Sequence, residues 1–500
     1  MASPDKNTAV QSVVGYFQRH WVMVLYCVVA ALLAVPASCS ALFGHQWSPV
    51  VTVLATITPL ATASAFVWSA TGRTLSLSLS VFWLWAFLFL GLAPAYQIGG
   101  TSFPWHGEFT PSEIATAQAI VLIGCVAVAV ASVAVNRLRP AIVANRSRRA
   151  PGGKSSLIAR RRPRSVNLFE YVLATYTLAA TVFAVFVGSA LFTGKTLFQQ
   201  RVVALADIVG FGTLYFVATA GAICIPAIGW ALRRSTMKVR PVLLYAATGV
   251  GFVVTNPLIG SRFLSGAFVI AIAGAILAGS LWQRFMPLGI LVAFVTVFPS
   301  LDLARGDGTG SNKLELFLPQ YSLTGFDFDA FEMLCRAVSI DDPLPSHETS
   351  RWELFVAPLL RWIPVLARDV QGHGTGPLVA RETGMSFTNV SMPLWGESYF
   401  VGGVGLTVIT FLALGALFGI IREGLASTGS TPLTREPNFG VLVDAPVAAL
   451  LFIVLRGSLY EVLGYLLLAI AVGLVTRFLL LPKSSPPLPL PSPVQGANRS

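Results

Sequence analysis

Apolar residues fall in long blocks separated by short polar joints, from Trp21 almost to the C-terminus. Twelve such blocks stand out, at about 21–43, 49–70, 75–95, 115–135, 168–193, 208–232, 241–256, 263–282, 285–301, 396–421, 439–455 and 462–481. Most approach the roughly 20 residues that a helix needs to cross a hydrocarbon core of about 30 Å. None alternates apolar and polar residues as the strands of a membrane barrel do. The pattern predicts an all-α polytopic membrane protein with about twelve transmembrane helices. The block 241–256 is the weakest, being short and rich in Gly and Thr. The first block is too long for the apolar core of a cleaved signal, and reads as a retained helix.

One polar stretch breaks the rhythm. Residues 302–394 form a large loop between the ninth and tenth blocks, expected to be partly helical. The chain therefore divides into a membrane bundle over 1–301, the loop over 302–394, and a second bundle segment over 395–482. The Pro-rich tail 483–500 reads as extended and disordered.

Charge gives this layout an orientation. An even number of spans puts both termini on one side. On that side Lys and Arg outnumber Asp and Glu by 23 to 5, and on the other they are outnumbered by 11 to 17. Excess Lys and Arg marks the cytoplasmic face, so both termini are expected inside and the loop 302–394 outside. The joint 136–167 carries ten basic residues and no acid. It reads as an anchor to anionic lipid and a topology signal and not as a nucleic-acid site, so no nucleic acid is expected as a partner. The balance over the whole chain is +12, with only 11% charged residues and a mean hydropathy of +0.72.

The interior of the blocks is poor in chemistry. Their carboxylates sit at the ends: Glu170 and Asp444 at inner ends, Glu397 and Glu461 at outer ends. An ion-coupled carrier usually holds an ionisable group at mid-depth. Neither a phosphate-cradling Gly-x-x-x-x-Gly-Lys motif nor metal-ligand spacing of His, Asp or Glu occurs, so no cofactor and no metal are expected. Four of the five cysteines lie in apolar blocks, which leaves Cys335 in the loop and no disulfide framework.

Candidate chemistry gathers on the expected outer face. Arg201 and Arg262 follow the fifth and seventh blocks, Arg456 opens the last outer turn, and the loop holds Arg351, Arg361 and Arg381 among seven basic residues. Guanidinium forks grip phosphate oxygens, so this set suits a lipid-linked diphosphate at the membrane boundary. The plain reading is that each arginine anchors a helix end or pairs with one of the loop's twelve carboxylates. Trp395 and Tyr399 are candidates for stacking on sugars. His373, in Gly372-His373-Gly374, could serve as a base near neutral pH. Glu397 could be an acid raised by desolvation at the start of a span, or simply the cap of a helix.

The stretch Leu394-Trp395-Gly396-Glu397-Ser398-Tyr399-Phe400-Val401-Gly402-Gly403-Val404-Gly405, followed by the Gly-rich 411–419, resembles the bacterial O-antigen and capsule repeat-unit polymerases. The turns Gly260-Ser261-Arg262 and Arg456-Gly457-Ser458 are similar to family features, as is the layout of twelve spans and one large outer loop. An arginine-x10-glycine spacing found in that family occurs at Arg201–Gly212 and Arg361–Gly372. The resemblance implies a metal-independent glycosyltransferase at the outer face of a bacterial cytoplasmic membrane. It would polymerise undecaprenyl-diphosphate-linked oligosaccharide repeats into a surface polysaccharide. Its partners would be the lipid-linked substrate, membrane lipids, and a flippase and chain-length regulator.

Rival readings are an O-antigen ligase-type transferase, a transporter or flippase of lipid-linked sugars, and a scaffold of an envelope-building machine. A transferase using a polyprenyl-monophosphate sugar would carry an acidic pair in its first outer loop, and residues 44–48 hold no carboxylate.

Overall fold

The computed structural model describes residues 6–72, 74–149, 167–235, 237–257, 262–303, 319–340, 351–360, 374–387, 390–427, 438–457 and 459–480. Helices account for the regular structure, and no strand occurs among the described residues. The first helices are α1 (Lys6–Phe43), α2 (Pro49–Thr71), α3 (Leu77–Trp85), a π-helical segment Ala86–Leu92, and α4 (Ala93–Gly100). They are followed by α5 (Pro111–Arg149), α6 (Asn167–Val187), the short α7 (Ala190–Thr193) and α8 (Lys195–Leu205), then α9 (Phe211–Arg234). Next come α10 (Pro241–Val254), α11 (Arg262–Leu277) and α12 (Met286–Leu303). The loop contributes α13 (Pro319–Ser322), α14 (Ala330–Val338), α15 (Arg351–Leu360) and α16 (Thr375–Glu382), and the chain ends in α17 (Leu394–Ser427), α18 (Phe439–Val454) and α19 (Leu459–Leu480).

Eight of these stretches are long and apolar enough to cross a bilayer, and the shorter apolar helices are 241–254, 263–277, 281–295 and 439–454. The architecture is that of a polytopic helical membrane protein. Every apolar block of the sequence is a helix or a run of helical segments.

At the centre lie α3–α4 and α18. The stretch 77–95 is buried throughout, and α18 is buried almost end to end. A helix apolar on all sides is stable only with neighbours on all sides, and α18 has them: it packs on α3, α9, α11, α17 and α19. Asp444, on α18, is buried because it caps α3. Its carboxylate accepts from Leu77 N (2.8 Å), Ser78 N (3.0 Å), Ser78 Oγ (2.7 Å) and Ser76 Oγ (3.0 Å). Donors at a helix N-terminus have no partner in their own helix, and negative charge is favoured there.

α17 lies along α5. Closeness is bought by glycine: a Cβ on Gly415 would stand 2.6 Å from Val128 O, and one on Gly419 2.7 Å from Val135 Cβ. α17 is broken at Gly402 and Gly403, where Gly403 takes φ 63°, a left-handed value glycine adopts freely.

The loop's described helices sit on one end of this bundle, here called the loop end. Gln97 Nε2, near the end of α4, donates to Leu323 O (3.0 Å) and Phe328 O (2.9 Å). A second, small core joins α14, α15 and α16 to the start of α17 through Met333, Leu354, Leu378, Met392 and Phe400. The described parts of the large polar stretch are therefore partly helical and docked. The basic residues beyond Arg149 in the joint 136–167, and the tail from 481, lie outside the described residues.

Candidate functional site

Arg456 occupies the turn between α18 and α19 at the loop end. Its guanidinium lies 3.7 Å from Asp327 Oδ1 and 3.6 Å from Asp329 Oδ1, donates to Phe326 O at 3.4 Å, and sits 4.6 Å above the Phe263 ring. These contacts are long for charge-assisted hydrogen bonds, which run at about 2.7–2.9 Å. The cation is held in place without being saturated, and its Nε, which is buried, makes no hydrogen bond.

Asp329 connects Arg456 to a second region. Its Oδ2 accepts from Trp105 Nε1 at 3.1 Å. The carboxyl is buried, and desolvation pushes it above the usual carboxylate range. Arg456 and the Trp105 N–H pull it back down, while Asp327 and Glu332 push it further up.

Trp105 belongs to the joint between α4 and α5. The backbone there is fixed from below by Glu332 on α14, which is fully buried. Trp105 N donates to Glu332 Oε2 (2.6 Å) and Gly107 N to Oε1 (3.1 Å). His106 between them has φ 55°, which costs a non-glycine residue energy. That conformation turns two nearby N–H groups toward one anion, as in a backbone nest. Arg336, four residues on along α14, neutralises Glu332 at 2.7 Å. Cys335 beside them is buried, and its thiol is pushed well above the ordinary value by desolvation and by the neighbouring carboxylates, which leaves it protonated.

Two cavities flank this line of residues. An apolar one of about 450 Å³ lies between α10, α11, α12 and α18, lined by Phe252, Phe263, Ile290, Phe294 and Phe452 among others. The Phe263 ring that lines it is the ring beneath Arg456. A polar cavity of about 690 Å³ lies on the other side of Trp105, between the 105–109 segment, α14 and the residues following α16.

The residues singled out in the sequence separate under this geometry. Arg456 stands at the site. Arg262 opens α11 next to Phe263, with its side chain outside the described residues, as is that of Arg351 at the start of α15. Arg361 and His373 lie outside the described residues altogether. Arg201 donates to Phe186 O (3.3 Å), anchoring α8 to the end of α6, and Arg381 is exposed on α16.

Trp395 is corrected from sugar platform to core residue. It is fully buried, stacks on Trp85 (5.7 Å) and Phe82 (5.8 Å), and donates to Val121 O (3.2 Å). Tyr399 is half-buried against the main core. Of the two readings of Glu397, the geometry is that of a cap: its carboxylate is buried and accepts from Leu459 N, at the start of α19, at 2.7 Å.

Asp327, Asp329, Glu332 and the 105–109 segment were not singled out from the sequence, and Arg336 figured there only as one of the loop's seven basic residues. The four-residue spacing of Glu332 and Arg336 on a short amphipathic helix was an available signal. The Pro-Trp-His-Gly-Glu joint was another, since aromatic and polar residues are concentrated there between two membrane helices. Among the described residues, no three His, Cys, Asp or Glu side chains converge as metal ligands. Comparison with family models, with curated proteins and with solved structures gave no match.

Proposed function

We propose that the chain is a membrane glycosyltransferase that polymerises polyprenyl-diphosphate-linked oligosaccharide repeats at the outer face of a bacterial cytoplasmic membrane. The observation that carries this reading is the position of Arg456, a partly unsaturated cation over Phe263 at the edge of an apolar cavity. A polyprenyl chain suits the cavity. A diphosphate attached to it suits the guanidinium, which is built to grip phosphate oxygens and to stabilise negative charge as it leaves. The arrangement suits an amphiphile with an anionic junction better than a soluble solute, which favours a lipid-linked donor over a free sugar.

In this reading twelve helices cross the membrane, both termini are cytoplasmic, and the loop end faces outward, as the charge asymmetry of the joints indicates. The growing glycan leaves its diphosphate carrier and is joined to a hydroxyl of the next lipid-linked unit. Asp329, beside Arg456 and with its carboxyl pushed up by burial, is the described group suited to take the hydroxyl proton. A flippase supplying the repeats and a regulator of chain length are the expected partners.

The test is the surface glycan of a deletion strain, resolved on a gel. Single repeats without a ladder support polymerisation. A ladder retained on the lipid carrier means ligation, and lipid-linked units trapped in the cytoplasm mean flipping; either would replace this reading.

A further inference from the structure

The polar cavity lies beyond Trp105 from Arg456, and its walls have a chemistry of their own. Among its lining residues are Trp105, Glu108, Phe109, Arg336, Glu382 and Phe387. Three rings lead to it from the Arg456 site. Phe326, whose carbonyl accepts from Arg456, lies 4.5 Å from Trp105, and Trp105 stacks on Phe387 at 5.7 Å and 23°. The two end rings are open to solvent, Phe326 at 59% and Phe387 at 47%. Exposed aromatic faces offer the C–H face of a sugar a large apolar contact at small entropic cost.

Charge decides which sugar. Arg336 is already neutralised by Glu332 at 2.7 Å, so it offers no free cation to the cavity. Glu108 and Glu382, both exposed, also line it and carry negative charge at its open side. A phosphate or a uronic acid entering there would meet like charge, which raises the cost of burial. Neutral hydroxyls and amides can donate to those carboxylates, and an ammonium can pair with them. The wall is also held in advance, because Glu332 pins Trp105 N and Gly107 N. Little ordering remains to be done on binding.

We propose that this cavity is a saccharide subsite that takes a neutral or amino-bearing sugar and rejects an acidic one. It rests on the glycosyltransferase reading above. The diphosphate stays at Arg456, and the glycan runs along Phe326, Trp105 and Phe387 into the cavity. The subsite thereby selects the composition of the repeat unit at this position.

The experiment uses the full chain in lipid nanodiscs. Titrations would use an N-acetylglucosamine disaccharide, a glucosamine disaccharide and a hexuronic acid disaccharide, read by calorimetry and by saturation-transfer NMR. The expected result is saturable binding of the first or second, at least tenfold weaker binding of the acidic sugar, and at least fivefold loss in Phe387→Ala. In Glu108→Gln/Glu382→Gln the discrimination against the acidic sugar should fall to within threefold while neutral binding persists. No saturable binding of any of the three, equal binding of acidic and neutral sugars, or no effect of Phe387→Ala overturns the subsite. The outcome separates from that of the polymerase reading: binding with an unchanged glycan ladder in the deletion strain keeps the subsite and removes polymerisation, whereas ladder loss without binding does the reverse.

Discussion

Arg456 and Asp329 face each other across 3.6 Å at the junction of membrane bundle and loop, with Asp329 almost wholly buried. The pair is too long for a strong ion pair and too enclosed for a solvated one. Each group keeps capacity for a further partner: Arg456 Nε and Asp329 Oδ1 have no hydrogen bond. An anion bound at Arg456 would complete the cation's coordination and leave the carboxyl beside it as the nearest proton acceptor.

Replacing Arg456 should therefore separate charge from geometry. Arg456→Ala is expected to abolish chain lengthening. Arg456→Lys keeps the positive charge but loses the planar fork and the stacking on Phe263, and should lower polymerisation by about 10²-fold, the scale set by removal of one charge-stabilising donor. Membrane abundance of both variants is the control. A normal ladder from Arg456→Lys would reduce the role of this residue to a point charge, and a normal ladder from Arg456→Ala would remove it from the site.

Asp329 carries a pH signature. Burial raises its carboxyl above the unfolded value, so the folded state binds the proton more tightly. The resulting stabilisation is complete below the unfolded pKa of about 3.9 and is lost as pH rises through the raised folded value. Melting temperatures of the wild type should accordingly decline over that window relative to Asp329→Asn, which has no proton to lose. Parallel pH curves for the two proteins would show that Arg456 and Trp105 offset the desolvation fully.

The Glu332–Arg336 pair makes a stability prediction. Glu332 is 0% exposed and holds two backbone N–H groups of the 105–107 segment besides Arg336. Removing Arg336 leaves a buried charge uncompensated, which costs about 3–5 kcal/mol. Arg336→Ala should lower the melting temperature and expose the joint between α4 and α5 to faster hydrogen exchange, while α9 and α18 keep their protection. The same exchange pattern in wild type and variant would mean that Glu332 is held by the backbone donors alone.

The helices were legible because their cause is local: a block of apolar residues in lipid has no other way to satisfy its backbone. The position of Asp444 near one end of its block was legible directly. Its duty as a cap on α3 was not, since Ser76 and Asp444 meet only in the folded bundle. The site itself was read in part. Arg456 announced itself by its flanking glycine and its position at a helix end. Asp327, Asp329 and Trp105 did not, because each is ordinary in sequence and acquires meaning by contact across more than a hundred residues. Trp395 misled for the opposite reason: aromatic residues at a membrane boundary suggest a platform, and only the packing of Trp85 and Phe82 against it shows a core residue.

Glu397 offers the sharpest test of role, because its two readings respond differently to one atom. As a cap, the carboxylate needs an oxygen that accepts from Leu459 N, and Glu397→Gln retains one. The loss is then the charge at the N-terminus of α19, worth about 0.3–1 kcal/mol, and the glycan ladder should persist. Glu397→Ala removes the acceptor and leaves a poorly solvated N–H without a partner, at about 1–3 kcal/mol, so the protein should melt lower and accumulate less. An acid or base would behave otherwise: the amide can neither give nor take the proton, and Glu397→Gln would abolish polymer as fully as Glu397→Ala. A ladder in Glu397→Gln at normal membrane abundance assigns Glu397 to the capping of α19, and its absence at that abundance returns it to the chemistry.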